Sequence, residues 1–589
     1  MEDGVSSKES SSRATTSHPL SQEDVRADQA SESHNVDESG VLARIRILSL
    51  HLLMYLYKNN HDYAHMMGVL RELLDWLQNH EDFQKLKLPN DSQDLAVDVV
   101  AIEKPKAPSP SPKCGDVVES IIADFLESEL PDSEIVNKIE EADGFEMVDR
   151  YFETSDGITN PLFVWQFMFD AADYNIADFI RPLQNGNFGV IVKLMILYAV
   201  SAKKYDARIR TYILCISQIL KIDYQMFQAY ELAVVDEIHS GEQYKKKKER
   251  LSAKGIAAVG LAATGGAVLM TLTGGLAAPF VVSGLATIVG TSSTAFLATT
   301  AGLATIAAMF GAVGGGLAGY KVSRLVGNVE EFEFVRVKEE PSVALTIMVD
   351  GLSKPNKVGN SWSVMNYSQE QYLLKYETKH VLRFTTAVSD LLKDTAVALA
   401  ADEIVRYTIF SALASSLAWP VTLLSLADVI DNPWSMCMKR SKAVGIHLSS
   451  VLVKRVHGER PVTLVGYGLG ARVIFFCLLD MVTKHPPEVY SGIVENAVLC
   501  GAPVTSQSLV WRKLCGAVSG KLINGYSSND WVLSFLYKTT RVTTAVAGIR
   551  AVDVSDRKLL NVDLSSVISG HFDYFDKMGE VLKIFGMGS

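Results

Sequence analysis

The chain has 589 residues, 48% hydrophobic and 21% charged, with a mean hydropathy of +0.14. That is too apolar for a disordered protein and too polar for a polytopic transporter, and the length allows roughly two to four domains. A net charge of −11 argues against a nucleic-acid partner, and six cysteines without a C-x-x-C pair argue against a zinc site or a disulfide scaffold, so no metal or cofactor is expected and a reducing compartment is the simplest reading.

Residues 1–40 are Ser-rich and acidic, with no apolar segment behind Met1, and read as a disordered tail rather than a secretory signal. From Val41 apolar residues recur at spacings of three and four, in VLARIRILSLHLLMYLYKNN and again in YAHMMGVLRELLDWLQNH. A Pro/Ser stretch from Lys104 to Lys113 reads as a linker or long loop. Helical patterns resume after Asp116 and run to about Ile238. Residues 41–250 are therefore expected to form an all-helical domain with its Asp and Glu side chains on solvated faces and a surface available to a protein partner.

Lys245 to Lys248, Arg250 and Lys254 introduce the strongest compositional change in the chain. The next 66 residues, Gly255 to Tyr320, contain no charged side chain, and Lys321 and Arg324 close the run. A spanning helix needs about 20 apolar residues. The run holds two candidates, Gly255 to Gly274 and Ala295 to Gly319, separated by Pro279 and the polar residues 291–294. Gly311, Gly315 and Gly319 share one helix face and permit close helix packing. Basic residues at both ends predict a membrane hairpin over 255–320, with lipid as its partner and both soluble regions in the cytosol. The alternative is a Gly/Ala-rich hairpin buried in a soluble domain.

Beyond residue 327 short β-like runs alternate with helical ones. Strands are expected at 332–337, 342–351, 371–377, 461–468, 495–503 and 521–528, with helical patterns at 438–456 and 469–485. Such alternation predicts an α/β fold, a mostly parallel sheet covered on both faces. The apolar stretch 407–430 has the length of a span, but Trp419-Pro420 interrupts it, and a buried or membrane-surface helix is expected there.

The chemistry-bearing segment is Gly466-Tyr467-Gly468-Leu469-Gly470. It follows an apolar strand and opens an apolar helix, the context of the G-x-S-x-G nucleophile elbow. The central residue is Gly468, which has no side chain to attack with, while the N–H of Leu469 is positioned to serve an oxyanion hole. Downstream come Asp530, at the end of a strand, and His571, 62 and then 41 residues further on. Nucleophile position, acid and histidine thus follow the chain order of α/β-hydrolases. Taken alone, Asp530 reads as a helix cap and His571 as a surface histidine; the elbow is what links them. Cys477 reads as core, and Ser527 and Ser528 flank the acid without an evident catalytic role.

From about residue 240 onward the chain resembles the transmembrane and coiled-coil domain-containing protein 4 family. The resemblance is carried by the Gly/Ala region, VIDNPW (429–434), RPVTLVGYGLGARVIFFCL (460–478), VLCGAPV (498–504), NGYSSNDWVLSFLY (524–537) and NVDLSSVISGHFDY (561–574). It implies a membrane-associated protein with coiled-coil character and an α/β-hydrolase-like domain over 327–589. The family's G-F-S-L-G elbow places its nucleophile on Gly468, its acid on Asp530 and its base on His571. Its glycine after the first parallel strand falls on Gly351, in the oxyanion-hole region with Leu469, but the tryptophan that follows it is Leu352 here. Three functions follow as expectations: a non-catalytic binding or trafficking-related protein, an active ester or lipid hydrolase using the Asp530/His571 remnant, or a structural membrane protein.

Overall fold

The computed structural model describes residues 62–84, 188–236, 320–322, 329–339, 342–352, 360–398, 433–540 and 545–587 almost without gaps, with isolated positions between 41 and 56. The expected tail (1–40), linker (104–113), apolar stretch (407–430) and, apart from Leu317 and Tyr320, membrane hairpin (255–320) lie outside these residues. Among the described residues no helix is long and apolar enough to cross a membrane.

Eight strands form one mixed sheet: β1 (Lys321–Val322), β2 (Phe332–Glu339), β3 (Leu345–Val349), β4 (Glu370–Tyr376), β5 (Val462–Tyr467), β6 (Val494–Cys500), β7 (Leu522–Tyr526) and β8 (Leu559–Asp563). Their spatial order is β1-β2-β4-β3-β5-β6-β7-β8, parallel from β4 to β8 and antiparallel at the β1-β2 and β2-β4 pairs. The central strands β5 and β6 are buried along their whole length, as continuous apolar runs must be when both sheet faces are covered. Near the edge, β2 alternates instead: Phe332 and Phe334 are buried, while Val335 and Val337 are exposed.

Helices α5 (Thr378–Ala398) and α6 (Pro433–Val453) lead from β4 to β5, α7 (Leu469–Lys484) from β5 to β6, α8 (Ser508–Cys515) from β6 to β7, and α9 (Trp531–Thr540) from β7 towards β8; α10 (Asp573–Ile584) follows β8. Gly466 packs against Ile474 of α7, whereas the next residue, Tyr467, stacks on Tyr574 of α10. Successive strand residues point to opposite faces, so α7 and α10 cover opposite sides of the sheet.

Upstream lie α1 (Tyr63–Gln78), α2 (Gly189–Ser201), α3 (Ala207–Ile219) and α4 (residues 224–236). Asp206 caps α3 by accepting from the N–H groups of Arg208 and Ile209. These helices share one apolar cluster with the sheet. Their polar link is Arg210 on α3, which donates to Glu231 on α4 (2.8 Å) and to Glu495 near the start of β6 (2.5 Å). The expectation that acidic residues of the helical region sit on solvated faces fails at Glu231, which is buried because Arg210 neutralises it there. The helical region thus meets the sheet at the N-terminal end of β6, leaving the C-terminal strand ends for the site.

Candidate active site

The turn after β5 is the sharpest feature of the sheet's C-terminal edge. Gly468 has φ +53° and ψ −124°, well outside the left-handed helical basin that other residues occasionally enter. Its N–H donates to the Cys500 carbonyl at 2.8 Å, which fixes the turn to the end of β6. Arg472, one turn into α7, donates to the Pro503 carbonyl at 2.8 Å and reaches Met438 of α6, holding the helix start in place. Gly351 lies directly against the same turn, so close that a Cβ there would overlap the Tyr467 carbonyl oxygen. The chain beyond β3 is thereby pressed onto the elbow, with Leu352 buried beside it.

Asp530 lies just beyond β7 and has two roles. One carboxylate oxygen accepts from the Leu533 N–H (3.0 Å), capping α9; the other accepts from His571 Nδ1–H (2.6 Å). The capping role that the residue suggests in isolation and the pairing with histidine therefore coexist on one carboxylate. Both side chains are withdrawn from solvent, Asp530 fully and His571 to 4% exposure. The His571 ring is oriented so that a Cβ built on Gly468 would lie 3.0 Å from Nε2. Gly351, Gly468, Leu469, Asp530 and His571, drawn from four separate strand ends, thus converge on one spot.

Several contacts tie the loop carrying Asp530 to the loop carrying His571, among them the Ser528 N–H donating to Ser565 Oγ (3.0 Å). Ser527 Oγ donates to the Ile568 carbonyl (2.7 Å), Ser528 Oγ meets Ser565 Oγ (3.1 Å), and Asn529 Nδ2 donates to the Ser565 carbonyl (2.9 Å). Neither serine is bonded to His571. Tyr574, one helical turn beyond His571, was not legible as a site residue; only its place in HFDY hints at it. Its ring stands edge-on to His571 (6.0 Å between centroids) and is stacked on Tyr467. Its hydroxyl is buried without a hydrogen-bond partner among the described residues, and burial pushes its pKa well up. Cys477 is fully buried, which pushes its thiol well up and leaves it an inert core residue.

Glu330, Glu377 and His380 come close enough together to suggest a metal site, but Arg440 already donates to both carboxylates at 2.6 Å. A guanidinium thus supplies the positive charge that a cation would.

Chemically, the C-terminal edge offers a histidine whose Nδ1 is held by a carboxylate and whose Nε2 faces the elbow. It also offers the start of α7, whose first N–H groups have no intrahelical acceptor. That set can exchange a proton and stabilise negative charge. With no oxygen on Gly468, it cannot form an acyl-enzyme at the elbow.

The chain has relatives among known proteins. The chain is 36% identical over 417 residues, 68% of its length, to an uncharacterized membrane protein of Caenorhabditis elegans. It is 34% identical over 65% of its length to the transmembrane and coiled-coil domain-containing protein STS1 of Oryza sativa subsp. japonica, and 29% identical over 67% to the probable lipase MIL1 of Saccharomyces cerevisiae. The matches span 67%, 61% and 38% of those three relatives, so the chain corresponds to about two thirds of their length or less. The names of the first two support a membrane association. No solved structure gives a significant match. The family model described as "Protein of unknown function (DUF726)" matches residues 251–588, more than half of the chain and all of the sheet, and the chain belongs to that family.

Proposed function

We propose that this is a membrane-anchored protein of the α/β-hydrolase fold that works by binding rather than by covalent catalysis. In this reading Asp530 and His571 are the acid and base of a hydrolase site, Leu469 and Gly351 its oxyanion-hole region, and Gly468 its vacant nucleophile position. One observation carries the reading: His571 Nε2 stands 3.0 Å from the Cβ position of Gly468 while Nδ1 is held 2.6 Å from Asp530. This arrangement supports the reading, since a triad that lacked its serine would keep such a pair beside the empty position. The crossed strand order, with the elbow after β5, the acid after β7 and the histidine after β8, supports the fold assignment. The uncharged run 255–320 and the relatives named as membrane proteins support the anchor, with both soluble regions facing the cytosol.

The retained acid–histidine pair and the relative named as a probable lipase support a second reading. In it His571 takes a proton from a water as that water attacks an ester carbonyl, releasing acid and alcohol without a covalent intermediate. Sites that lose a triad member typically keep about 10³–10⁴-fold over water, so this activity would be slow.

A serine-reactive fluorophosphonate and a short-chain ester separate the readings. The chain with Gly468 is expected to take no label and to show negligible esterase activity. Gly468→Ser is expected to gain labelling, and the added change His571→Ala to abolish it. Labelling of the Gly468 chain that His571→Ala removes would overturn the binding reading, because another residue would then be the nucleophile. Ester turnover without labelling, lost in His571→Ala, would favour the second reading.

A further inference from the structure

Three features of the elbow remain unused once the serine is gone. The first is the start of α7. This 16-residue helix begins at Gly468 with no capping side chain and no acidic residue in its first turn. Helix starts usually carry such groups, because their unpaired N–H groups and the dipole leave partial positive charge there. The second is His571. Its Nδ1–H is given to Asp530, so its second nitrogen, on a side chain only 4% exposed, has no acceptor or donor within the described residues and is aimed at the elbow. The third is the Tyr574 hydroxyl, on a ring edge-on to His571, fully buried and without a partner among the described residues.

We infer that the elbow reversibly binds a carboxylate, the ionised product group of the ester chemistry that the missing serine would have started. The inference rests on the proposed reading of the site and deepens it by naming the ligand class. A carboxylate oxygen accepts from Nε2–H of a His571 that has taken up a proton from solution, and the uncapped N–H groups at the start of α7 receive the second oxygen. Asp530 stabilises the resulting imidazolium from the opposite side. A serine would interfere, since its Cβ alone would already stand 3.0 Å from Nε2 and its hydroxyl would compete with the ligand oxygen for that nitrogen; glycine brings no side chain to compete. No bond is made or broken, so the site holds its ligand at equilibrium and releases it unchanged.

The test uses the full chain in detergent micelles, with binding to empty micelles subtracted. Carboxyl-¹³C octanoate and acetate are titrated as carboxylates, and 1-octanol as the uncharged control. Saturable octanoate binding is expected, weakened at least tenfold by His571→Ala and by Gly468→Ala, whose methyl group fills the vacant position. The unmodified chain provides a check that needs no variant: the His571 imidazole ¹⁵N resonances should move on adding octanoate and stay in place on adding octanol. Acetate binding as tightly as octanoate would identify a small carboxylate as the ligand, and weaker binding an acyl chain. Absence of saturable carboxylate binding, equal binding by both variants, or octanol binding as tightly as octanoate would overturn the inference. Fluorophosphonate labelling of Gly468→Ser beside a Gly468 chain that binds no carboxylate would overturn this inference alone. Labelling of the Gly468 chain itself would overturn the reading on which it rests.

Discussion

Position 468 shows how one side chain separates fold from chemistry. Its backbone, at φ +53° and ψ −124°, is one that glycine adopts freely and serine holds only under strain. Gly468→Ser is therefore expected to lower stability by about 1–3 kcal/mol. His571 would also have to give by a few tenths of an ångström, because the new Cβ would stand 3.0 Å from Nε2. A thermal melt checks the cost, and an unchanged midpoint would count against a strained turn. His457, between α6 and β5, poses a different problem. It is fully buried, both ring nitrogens lack partners among the described residues, and burial, reinforced by the nearby Arg455 and Arg460 charges, holds its pKa well below the usual value. The folded chain keeps it neutral, while the unfolded chain takes up a proton near pH 6.5. The stability it contributes is complete above that pH and falls as pH drops through it, by up to about 1.4 kcal/mol per pH unit. Urea unfolding between pH 7.5 and 5 should show this slope, and His457→Leu should flatten it.

Between elements, buried charge does the joining. Arg210 connects α3 to α4 and to β6, and its partner Glu495 is so buried that desolvation raises its carboxyl pKa despite the contact with the guanidinium. Removing the arginine strands two buried carboxylates. Arg210→Ala is expected to cost about 3–5 kcal/mol, whereas Arg210→Met combined with Glu231→Gln and Glu495→Gln should cost markedly less, because no unpaired charge remains. Denaturant midpoints of both variants check the contrast. The same scale explains which elements the sequence revealed. β2 to β7 announce themselves as apolar or alternating runs. β8, Leu559–Asp563, does not: Leu560 and Asn561 are half-buried, and the segment is a strand only through its pairing with β7. β1 is two residues long and equally silent. The Ser527 tie between the acid and histidine loops was likewise illegible, since a hydroxyl bonded to a carbonyl 41 residues away leaves no periodic trace.

For the whole molecule, membrane attachment is the property on which the uncharged run and the relatives' names converge. The chain is expected to remain in the pellet when membranes are extracted with alkaline carbonate, and removal of residues 255–320 should release it. Release of the intact chain would exclude integration. In sealed vesicles with the cytosolic face outward, protease should reach both the helical region and the sheet; protection of either would overturn the hairpin topology.

The sequence by itself determined the patterned features: the apolar periodicities, the strand–helix alternation, the 66-residue uncharged run and the glycine at the centre of the elbow. All are local, and local propensity and burial leave marks at fixed spacing. The chain order of Gly468, Asp530 and His571 was visible too, but order is not contact. Only the tertiary structure decided that Asp530 both caps α9 and holds His571, that Gly351 presses on the elbow, that Glu231 is buried, and that the Tyr574 hydroxyl and both His457 ring nitrogens lack partners among the described residues. These depend on groups brought together from distant parts of the chain, where the low dielectric of the interior makes each pairing, or its absence, costly enough to matter.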